Sequence, residues 1–316
     1  MINVVFLPPE SKIQLKMSVK ESRSLSFVII TVVYALAFAV GMLVYKSLAN
    51  TGWHYLWQLF TADAAATVVV WLFGLLFRNV SVYDPYWSVF PPLAFLFWAF
   101  HTHTWSVPVI LLLVASWYWG WRLTRNWAIT FKGIGHEDWR YTQYRKLHPL
   151  LFHLLNLFGL NLMPTVVVFG AMLPGLMMYE WGFTFQDIYG LCTEGMHTLL
   201  ITTLRLCFGF LVCIAAATLQ LVADKQIHDF RAANPGQYCN VGLWKHGRHP
   251  NYFGEILFWW GVWLMYCVLG GIDWLICGPI AMTLLFVCVS VPLMEKRQLQ
   301  NKPGYAEYRK RTRMFL

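Results

Sequence analysis

Cations, an amide, a phenol and a carboxylate fall within one short segment near the C-terminal end of the chain. The segment reads GLWKHGRHPNYFGE over residues 242–255 and leads into an apolar stretch. Arg248 and His249, together with Lys245, offer a planar fork and point charges that suit phosphates. Asn251 can donate and accept hydrogen bonds toward an amide or a ribose. Because charge is costly beside a membrane span and usually has a role there, this segment is the first candidate for a binding site.

The local geometry of this segment is constrained by Pro250. A proline favours an extended conformation at the preceding His249, so the chain is expected to turn and enter a helix near Asn251. Residues four apart on a helix share a face, which places Glu255 beside Asn251. We expect Glu255 to point into the helix bundle, because exposure to lipid would be expensive. The alternative is that Glu255 pairs with Arg248 and only fixes the end of the helix.

The elements that position these residues are predicted to be membrane-spanning helices. Of the 316 residues, 58% are hydrophobic and only 12% are charged, whereas average soluble chains carry roughly 25% charged residues. We therefore predict an all-α polytopic membrane protein, with residues 1–316 forming a single integral membrane domain. The seven cysteines lie mostly in apolar runs and form no CxxC pair, so we predict neither a disulfide framework nor a metal site.

About eight transmembrane helices are expected, within a range of seven to nine. Residues 87–121 are uncharged over a length too great for one crossing, and the polar break at His101–Thr104 divides them into a hairpin. Pro164 and Pro174 are candidates for kinks in the fifth span. The predicted spans are 26–45, 53–77, the two halves of 87–121, 149–179, 206–223, 256–272 and 274–294.

The distribution of Lys and Arg predicts the orientation. Basic residues concentrate in alternate loops and in the tail, so by the positive-inside rule both termini and the basic loops are cytoplasmic. The net charge of +9 is therefore one-sided, and it indicates orientation and contact with anionic lipid rather than a nucleic-acid partner. Residues 1–24 contain no short apolar core followed by a small-residue cleavage site, so the first span is expected to act as its own insertion signal.

The cytoplasmic side gathers further polar residues that could join the first segment in one site, with a cofactor cavity facing the cytoplasm in the C-terminal half. The loop after the second span carries Tyr83, Asp84 and Tyr86, and the second span itself contains Asp63. An ionisable residue inside a span is a functional hypothesis by default. The alternatives are that Asp63 only caps or hydrogen-bonds a helix, and that the loop aromatics only anchor the chain at the lipid headgroups.

Several of these motifs resemble the C-terminal half of the steroid 5-alpha-reductase-like integral membrane proteins. The similarity covers roughly residue 220 to the end, and we place a reductase-like core at 198–316. The motifs are Asp224-Lys225-Gln226 with Phe230-Arg231, Gly242-Leu243-Trp244, Arg248-His249-Pro250-Asn251-Tyr252 with Gly254-Glu255, and Val289-Ser290-Val291-Pro292-Leu293-Met294-Glu295-Lys296-Arg297 followed by Tyr305, Tyr308, Arg309 and Phe315. Tyr83-Asp84-Pro85-Tyr86-Trp87 and Glu137-Asp138-Trp139-Arg140-Tyr141 resemble a poorly characterised branch of the same family.

The resemblance implies an enzyme that uses NADPH to reduce a carbon–carbon double bond conjugated to a ketone in a steroid or another lipid. Glu255 matches a position at the border of cofactor and substrate. The family's Glu in the second span and nearby Tyr correspond loosely to Asp63 with Tyr83 or Tyr86, so the resemblance makes these tyrosines, with Asp84 and Glu255, the catalytic candidates. Asp84 and Asp63 are expected to orient the tyrosines. The cofactor-binding candidates are Asp224, Arg231, Arg248, His249, Asn251, Tyr252, Tyr305 and Arg309.

Two other functions remain open at this stage. Isoprenylcysteine and phospholipid methyltransferases carry a similar Arg-His-Pro-x-Tyr motif, which here would be Arg248 to Tyr252, and they bind S-adenosylmethionine. A lipid-binding membrane protein without chemistry is the second alternative. The substrate or ligand is expected to come from the bilayer, and the membrane would be the endoplasmic reticulum in a eukaryote or the inner membrane in a bacterium.

Overall fold

The computed structural model describes residues 22–180 and 196–316, and the secondary structure of this part of the chain is helical. The described residues form no strand, and only an isolated bridge joins Gly247 and Arg313. Six of the described helices are long and apolar enough to cross a membrane. The prediction of an all-α, multi-pass membrane protein is thereby confirmed. The N-terminal segment that we expect to lack a cleavage site lies almost entirely outside the described residues.

Twelve α-helices are labelled here in chain order, with shorter 3-10 and π-helical pieces between them. The α-helices are α1 (Arg23–Leu48), α2 (Tyr55–Phe77), α3 (Tyr86–Thr102), α4 (Val107–Thr130), α5 (Trp139–Tyr144), α6 (Pro149–Leu154), α7 (Met163–Glu180), α8 (Met196–Ala233), α9 (Pro250–Gly270), α10 (Cys277–Leu284), α11 (Val291–Asn301) and α12 (Tyr305–Arg311). The 3-10 pieces are Val80–Tyr83, Gly242–Lys245 and Trp274–Ile276, and the π-helical pieces are Leu155–Leu162 and Leu285–Ser290.

The helix boundaries agree with the polar and glycine signals in the sequence. The predicted hairpin break at His101–Thr104 separates α3 from α4, and α9 ends at Gly270, where Gly271 has a φ of 74°. A continuous helical segment runs over Pro149–Tyr179, as predicted. This segment departs from regular α-helix in the π-helical piece Leu155–Leu162, just before Pro164. A proline lacks the backbone N–H that a regular α-helix would need at that position.

The chain divides into two compact units, one containing residues 22–87 and Trp127–Val166 and the other Ser88–Asn126 and the described residues from Val167 onward. In the first unit α1 packs along α2. Helix α2 is followed by Arg78 as its C-cap, which takes the left-handed conformation with φ 54° and ψ 42°. Glycine usually occupies this position because it has no Cβ to clash.

In the second unit, Pro92 of α3 and Gly120 of α4 lie where these two helices approach closely. A proline inside a helix leaves the carbonyl four residues earlier without its helical donor. Pro92 has this relation to Ser88, whose oxygen would lie 2.7 Å from a Cβ placed on Gly120 of α4. The glycine therefore leaves room for a carbonyl that the proline displaces from the regular helical pattern.

The main packing contact of the second unit joins α8 and α9 along a line of small residues. A Cβ on Gly209 would lie 2.7 Å from the backbone nitrogen of Met265, and a Cβ on Gly261 would lie 2.5 Å from the sulfur of Cys213. Small residues let two membrane helices bring their backbones close enough for dispersion contacts, which drive association in lipid. This contact fixes the face of α8 that carries Asp224 against the face of α9 that carries Glu255.

We expect Gly209→Ala to lower the stability of the detergent-purified protein, because the new methyl group meets the backbone of α9. Overpacking of this kind costs roughly 1–3 kcal/mol of unfolding free energy. The matched control is Gly170→Ala, since a Cβ at that helical position meets nothing within 4 Å. Thermal unfolding should show a lower midpoint for the first variant and an unchanged or higher midpoint for the second. Equal midpoints for both variants would show that the contact is not close.

Candidate functional site

A buried guanidinium bridges two carboxylates in the second unit. Arg122 of α4 is 2% exposed; its Nη1 lies 3.0 Å from Asp224 Oδ2 and its Nη2 lies 3.3 Å from Glu255 Oε2. Asp224 lies on α8 and Glu255 on α9, and both are buried. Three helices are thus connected by one ion pair network, which we call the ion cluster (Arg122, Asp224 and Glu255).

Neutral donors add further hydrogen bonds to the two carboxylates of the ion cluster. Trp119 Nε1 donates to both oxygens of Glu255 at 3.1 and 3.0 Å, and Trp259 Nε1 donates to Oε1 at 3.1 Å. Asn251 Nδ2 donates to Asp224 Oδ1 at 3.2 Å. The helical spacing explains this convergence, because Asn251, Glu255 and Trp259 are successive members of one face of α9. The predictions that Asn251 and Glu255 share a face and that Glu255 is buried are confirmed.

Gln220 adjoins this cluster, and sequence reasoning missed it. The side chain is fully buried, one helical turn before Asp224 on α8, and within the described residues neither its Oε1 nor its Nε2 has a hydrogen-bond partner. The side chain packs so closely on α9 that a Cβ on Gly254 would lie 2.4 Å from its Cγ. Its amide in an otherwise apolar span, at helical spacing from an aspartate, is the sequence signal that could have identified it. Arg122 was also missed as a site residue, although it lies in a loop-proximal group of cations.

Three cations lie near one another at the C-terminal end of α8. The pKa of Lys302 is lowered from its ordinary value by partial burial, and further by the neighbouring charges of Arg231 and Arg297. Arg231 is exposed and lies at the last turn of α8, seven residues after Asp224 and therefore on nearly the same face. Like charges gathered in this way favour the binding of an anion. We call Arg231, Arg297 and Lys302 the cation group.

Arg248, His249 and Arg309 converge on one carboxylate rather than on open space. Glu295 of α11 is 4% exposed, and it accepts from Arg248 Nε at 2.7 Å, His249 Nε2 at 3.1 Å and Arg309 Nε at 2.8 Å. Arg248 also donates from Nη1 to the backbone carbonyls of Arg309 and Thr312. The structure therefore gives Arg248 a role in attaching the C-terminal tail to the start of α9.

The two tyrosines predicted to bind the cofactor lie close to this carboxylate network. Tyr305 is 4% exposed, and its burial raises the pKa of the phenol to about 12. Tyr252 stacks on His249 with ring centroids 5.4 Å apart and an interplanar angle of 6°. Every cofactor-binding candidate from the sequence thus belongs to the second unit, where Asp224 and Asn251 meet at the ion cluster and Arg248, His249 and Arg309 meet at Glu295.

The tyrosines predicted to act as proton or hydrogen-bond donors belong to the first unit. Tyr86 is 1% exposed and donates its hydroxyl to Asp63 Oδ1 at 2.8 Å. Tyr83 lies beside it with ring centroids 5.5 Å apart, and its hydroxyl lies 2.7 Å from that of Thr165. Asp63 therefore has the role that the sequence suggested for it, which is to hold a tyrosine of the following loop.

Asp84 has different partners from those expected. The sequence suggests that it orients Tyr83 or Tyr86, but its carboxylate accepts a hydrogen bond from the Tyr141 hydroxyl and lies 3.6 Å from Arg140 Nη2. Its burial raises the pKa of the carboxyl to about 6, although Arg140 and the hydrogen bond from Tyr141 lower it. Asp84 thereby connects the loop after α2 to α5, because Tyr141 and Arg140 both lie on α5.

Replacing Arg248 should destabilise the protein even when no ligand is present. Arg248→Ala leaves Glu295 buried with one cation fewer and removes the donors to the tail carbonyls. Hydrogen bonds to charged groups contribute about 1.5–3 kcal/mol each, so we expect the unfolding free energy to fall by about 2–3 kcal/mol. Thermal unfolding of the ligand-free protein measures this change.

The control for this variant is Lys310→Ala, which removes a cation of the same tail. Lys310 is 76% exposed, and its ion pair among the described residues is with Glu307 three residues away, so its loss should change the unfolding free energy by less than about 1 kcal/mol. An unchanged midpoint for Arg248→Ala would contradict the structural role of Arg248 and restore the prediction that it binds a phosphate.

The comparisons with known proteins give one match. A search of curated proteins and a search of solved structures both find no similar protein. A family model described as a protein of unknown function, DUF1295, matches residues 70–312. The matched range contains the ion cluster, the cation group and the Glu295 network, and it leaves out α1 and Asp63. Since the model matches well over half of the sequence, the chain belongs to the DUF1295 family.

Proposed function

We propose that the protein is an NADPH-dependent membrane oxidoreductase that reduces a conjugated carbon–carbon double bond of a steroid or another lipid. The observation that carries the proposal is the polar set on α8 and α9, in which Gln220, Asp224 and Glu255 are buried and Asn251 is half-buried. A membrane protein of this composition keeps such groups only at some expense, because unsatisfied polar atoms in a low-dielectric interior are costly. Residues of this kind are the ones expected to bind a polar cofactor.

The side chains present suit a nicotinamide dinucleotide. The unpartnered amide of Gln220 offers both a donor and an acceptor, which is the complement of a carboxamide. Asn251 offers a further amide, while Asp224 can accept from a ribose hydroxyl. Each of these residues lies within one helical turn of the ion cluster, which would hold their positions before the cofactor arrives.

The cation group favours a dinucleotide over S-adenosylmethionine. Arg231, Arg297 and Lys302 lie near one another, and their positive charges repel one another. A ligand with several phosphates would relieve this repulsion and form charge-assisted hydrogen bonds. S-adenosylmethionine carries no phosphate and a positive sulfonium, so it gains nothing from these cations. Arg231 and Lys302 are therefore assigned to the phosphates.

The chain's own contribution to the chemistry would be electrostatic. NADPH supplies a hydride when bound. In the reduction of a conjugated ketone negative charge develops on the carbonyl oxygen, and a hydrogen-bond donor stabilises it most effectively where water is excluded. The candidates for this donor stay Tyr86 and Tyr83, as the sequence suggests. To donate to a carbonyl, the Tyr86 hydroxyl would have to release the Asp63 carboxylate to which it donates, and the Tyr83 hydroxyl would have to release the Thr165 hydroxyl.

For the topology, we propose eight crossings with both termini in the cytoplasm. Six of these are the long apolar helices of the structure. The other two are α3, which has 17 residues, and α9, which has 21. The number of crossings and the cytoplasmic position of the termini are inferred from the alternation of basic loops along the sequence. On this arrangement the cofactor reaches its site from the cytoplasm and the lipid reaches it from the bilayer.

Titration of the purified protein with NADPH tests the proposal. We expect saturable binding to the wild-type protein, followed by calorimetry or by the rise of the unfolding midpoint. Arg231→Gln should weaken binding by roughly tenfold or more, because one charge-assisted phosphate contact contributes about 1.5–3 kcal/mol. Arg231 is exposed, so this variant is expected to fold normally.

Lys310→Ala is again the matched control and should leave the affinity for NADPH unchanged. S-adenosylmethionine is titrated in parallel. Binding of S-adenosylmethionine in place of NADPH would favour the methyltransferase alternative. Binding of neither compound would favour a lipid-binding protein without this chemistry, and equal small effects of both variants would show that the cation group does not meet the phosphates.

A further inference from the structure

The first unit contains a cavity that none of the clusters above uses. Its volume is about 400 Å³, which falls within the range of roughly 300–1,000 Å³ typical of small-molecule sites. The wall is formed by the end of α2, by the segment after α5 and by α6 with the following π-helical piece. Leu75, Leu147 and Phe152 give it an apolar side, and Arg78 and Arg145 give it a basic side.

Arg78 is held at this cavity by its backbone. Its carbonyl accepts from Arg145 Nη2 at 2.8 Å, and its N–H donates to the carbonyls of Gly74 and Leu75. The side chain is exposed and forms no ion pair or hydrogen bond with any residue in the described part of the chain. Its left-handed backbone is a conformation in which glycine would be favoured. An arginine at a position that suits glycine indicates that its side chain is used.

Arg145 lines the cavity without adding net positive charge to it. Its Nε and Nη2 lie 2.6 and 2.7 Å from the two carboxylate oxygens of Glu137, and its guanidinium lies 5.0 Å from the centre of the Phe152 ring. Because Glu137 neutralises Arg145, the net positive charge at the cavity comes from Arg78. The ring of His153 also lines the cavity and offers a nitrogen for a hydrogen bond.

The side-chain amide of Asn156 provides a hydrogen-bond donor at the cavity. Asn156 lines the cavity and is 2% exposed. Its Oδ1 accepts from Asn161 at 2.9 Å, whereas its Nδ2 donates to no other residue among those that the structure describes. This N–H group is therefore available to a ligand in the cavity, on a side chain that is otherwise held in place.

We propose that this cavity binds the phosphate group of an anionic membrane lipid. Arg78 supplies the charge and Asn156 supplies an N–H donor, which together suit a phosphate oxygen. The apolar wall of Leu75, Leu147 and Phe152 suits the glycerol and the upper acyl chain. The cavity lies where α2 ends and where the apolar segment Pro149–Tyr179 begins, which is the level at which lipid headgroups meet a membrane protein.

Arg78→Gly gives a test that does not depend on a damaged fold. Glycine accepts the left-handed backbone without a steric penalty, so in phosphatidylcholine nanodiscs this variant should be as stable as the wild-type protein or more so. Native mass spectrometry after addition of phosphatidylglycerol measures the lipid retained by each protein. We expect the affinity of Arg78→Gly for phosphatidylglycerol to be about tenfold weaker, which corresponds to the loss of one charge-assisted contact. The control is Lys132→Ala, since Lys132 is an exposed cation of the same unit that does not line the cavity.

The outcomes separate the possible sources of the anion. Weaker retention in Arg78→Gly with unchanged retention in Lys132→Ala supports the lipid site. Equal losses in both variants would reduce the effect to general surface charge and overturn the proposal, as would unchanged retention in Arg78→Gly. Inorganic phosphate is added to nanodiscs of phosphatidylcholine alone as a further arm. If it raises the unfolding midpoint of the wild-type protein as much as phosphatidylglycerol does, the site binds a soluble anion and the lipid assignment is wrong.

Discussion

The interior of the second unit depends on the charge of Arg122. A guanidinium removed from water is tolerated only if its charge is compensated, and Asp224 and Glu255 compensate it from two different helices. When both carboxyl groups are ionised the cluster carries one net negative charge, and the indole N–H groups of Trp119 and Trp259 help to stabilise it. Removing one partner of such a cluster leaves a buried charge uncompensated, which typically costs several kcal/mol. The positions of α4, α8 and α9 are therefore linked through one side chain.

The packing of α8 on α9 and the ion cluster support each other. Gly209 and Gly261 let the two backbones approach closely, and the close approach places Asp224 and Glu255 within reach of the same guanidinium. Beside this network, the amide of Gln220 stands out because neither of its polar atoms has a partner in the described structure. The Nε of Arg122 is also buried without a partner there. Unpaired polar atoms within a buried ion network are the arrangement expected of a site prepared for a ligand. The proposed cofactor site rests on these unpaired atoms more than on any single motif.

Much of the fold could be predicted from the sequence because membrane helices have strong local signals. The hairpin break near His101, the start of α9 at Pro250 and the burial of Glu255 all follow from local composition and helical spacing. The partners of these residues could not be predicted in the same way. Arg122 lies 133 residues from Glu255 along the chain, and nothing in the local sequence distinguishes it from the other cations that follow it.

The partner of Arg248 could not be predicted from the sequence either. Its type and its neighbours suggest a phosphate ligand, but the structure pairs it with Glu295, which lies 47 residues away. A cation that anchors a chain segment and a cation that binds a ligand have the same local sequence, and only the tertiary structure separates them. Gln220 is the opposite case, since its spacing from Asp224 was visible in the sequence but carried no meaning until its amide was found buried and unpaired.

The most direct test of the cofactor site is the unfolding midpoint of Gln220→Leu, measured with and without NADPH. Leucine is close to glutamine in size and removes the unpaired amide. The account predicts that this variant is more stable than the wild-type protein without NADPH, because a buried unsatisfied group costs roughly 1–3 kcal/mol, and that NADPH no longer raises its midpoint as it raises that of the wild-type protein. If NADPH raises the midpoint of Gln220→Leu as much as that of the wild-type protein, the buried polar set on α8 and α9 is not the cofactor site.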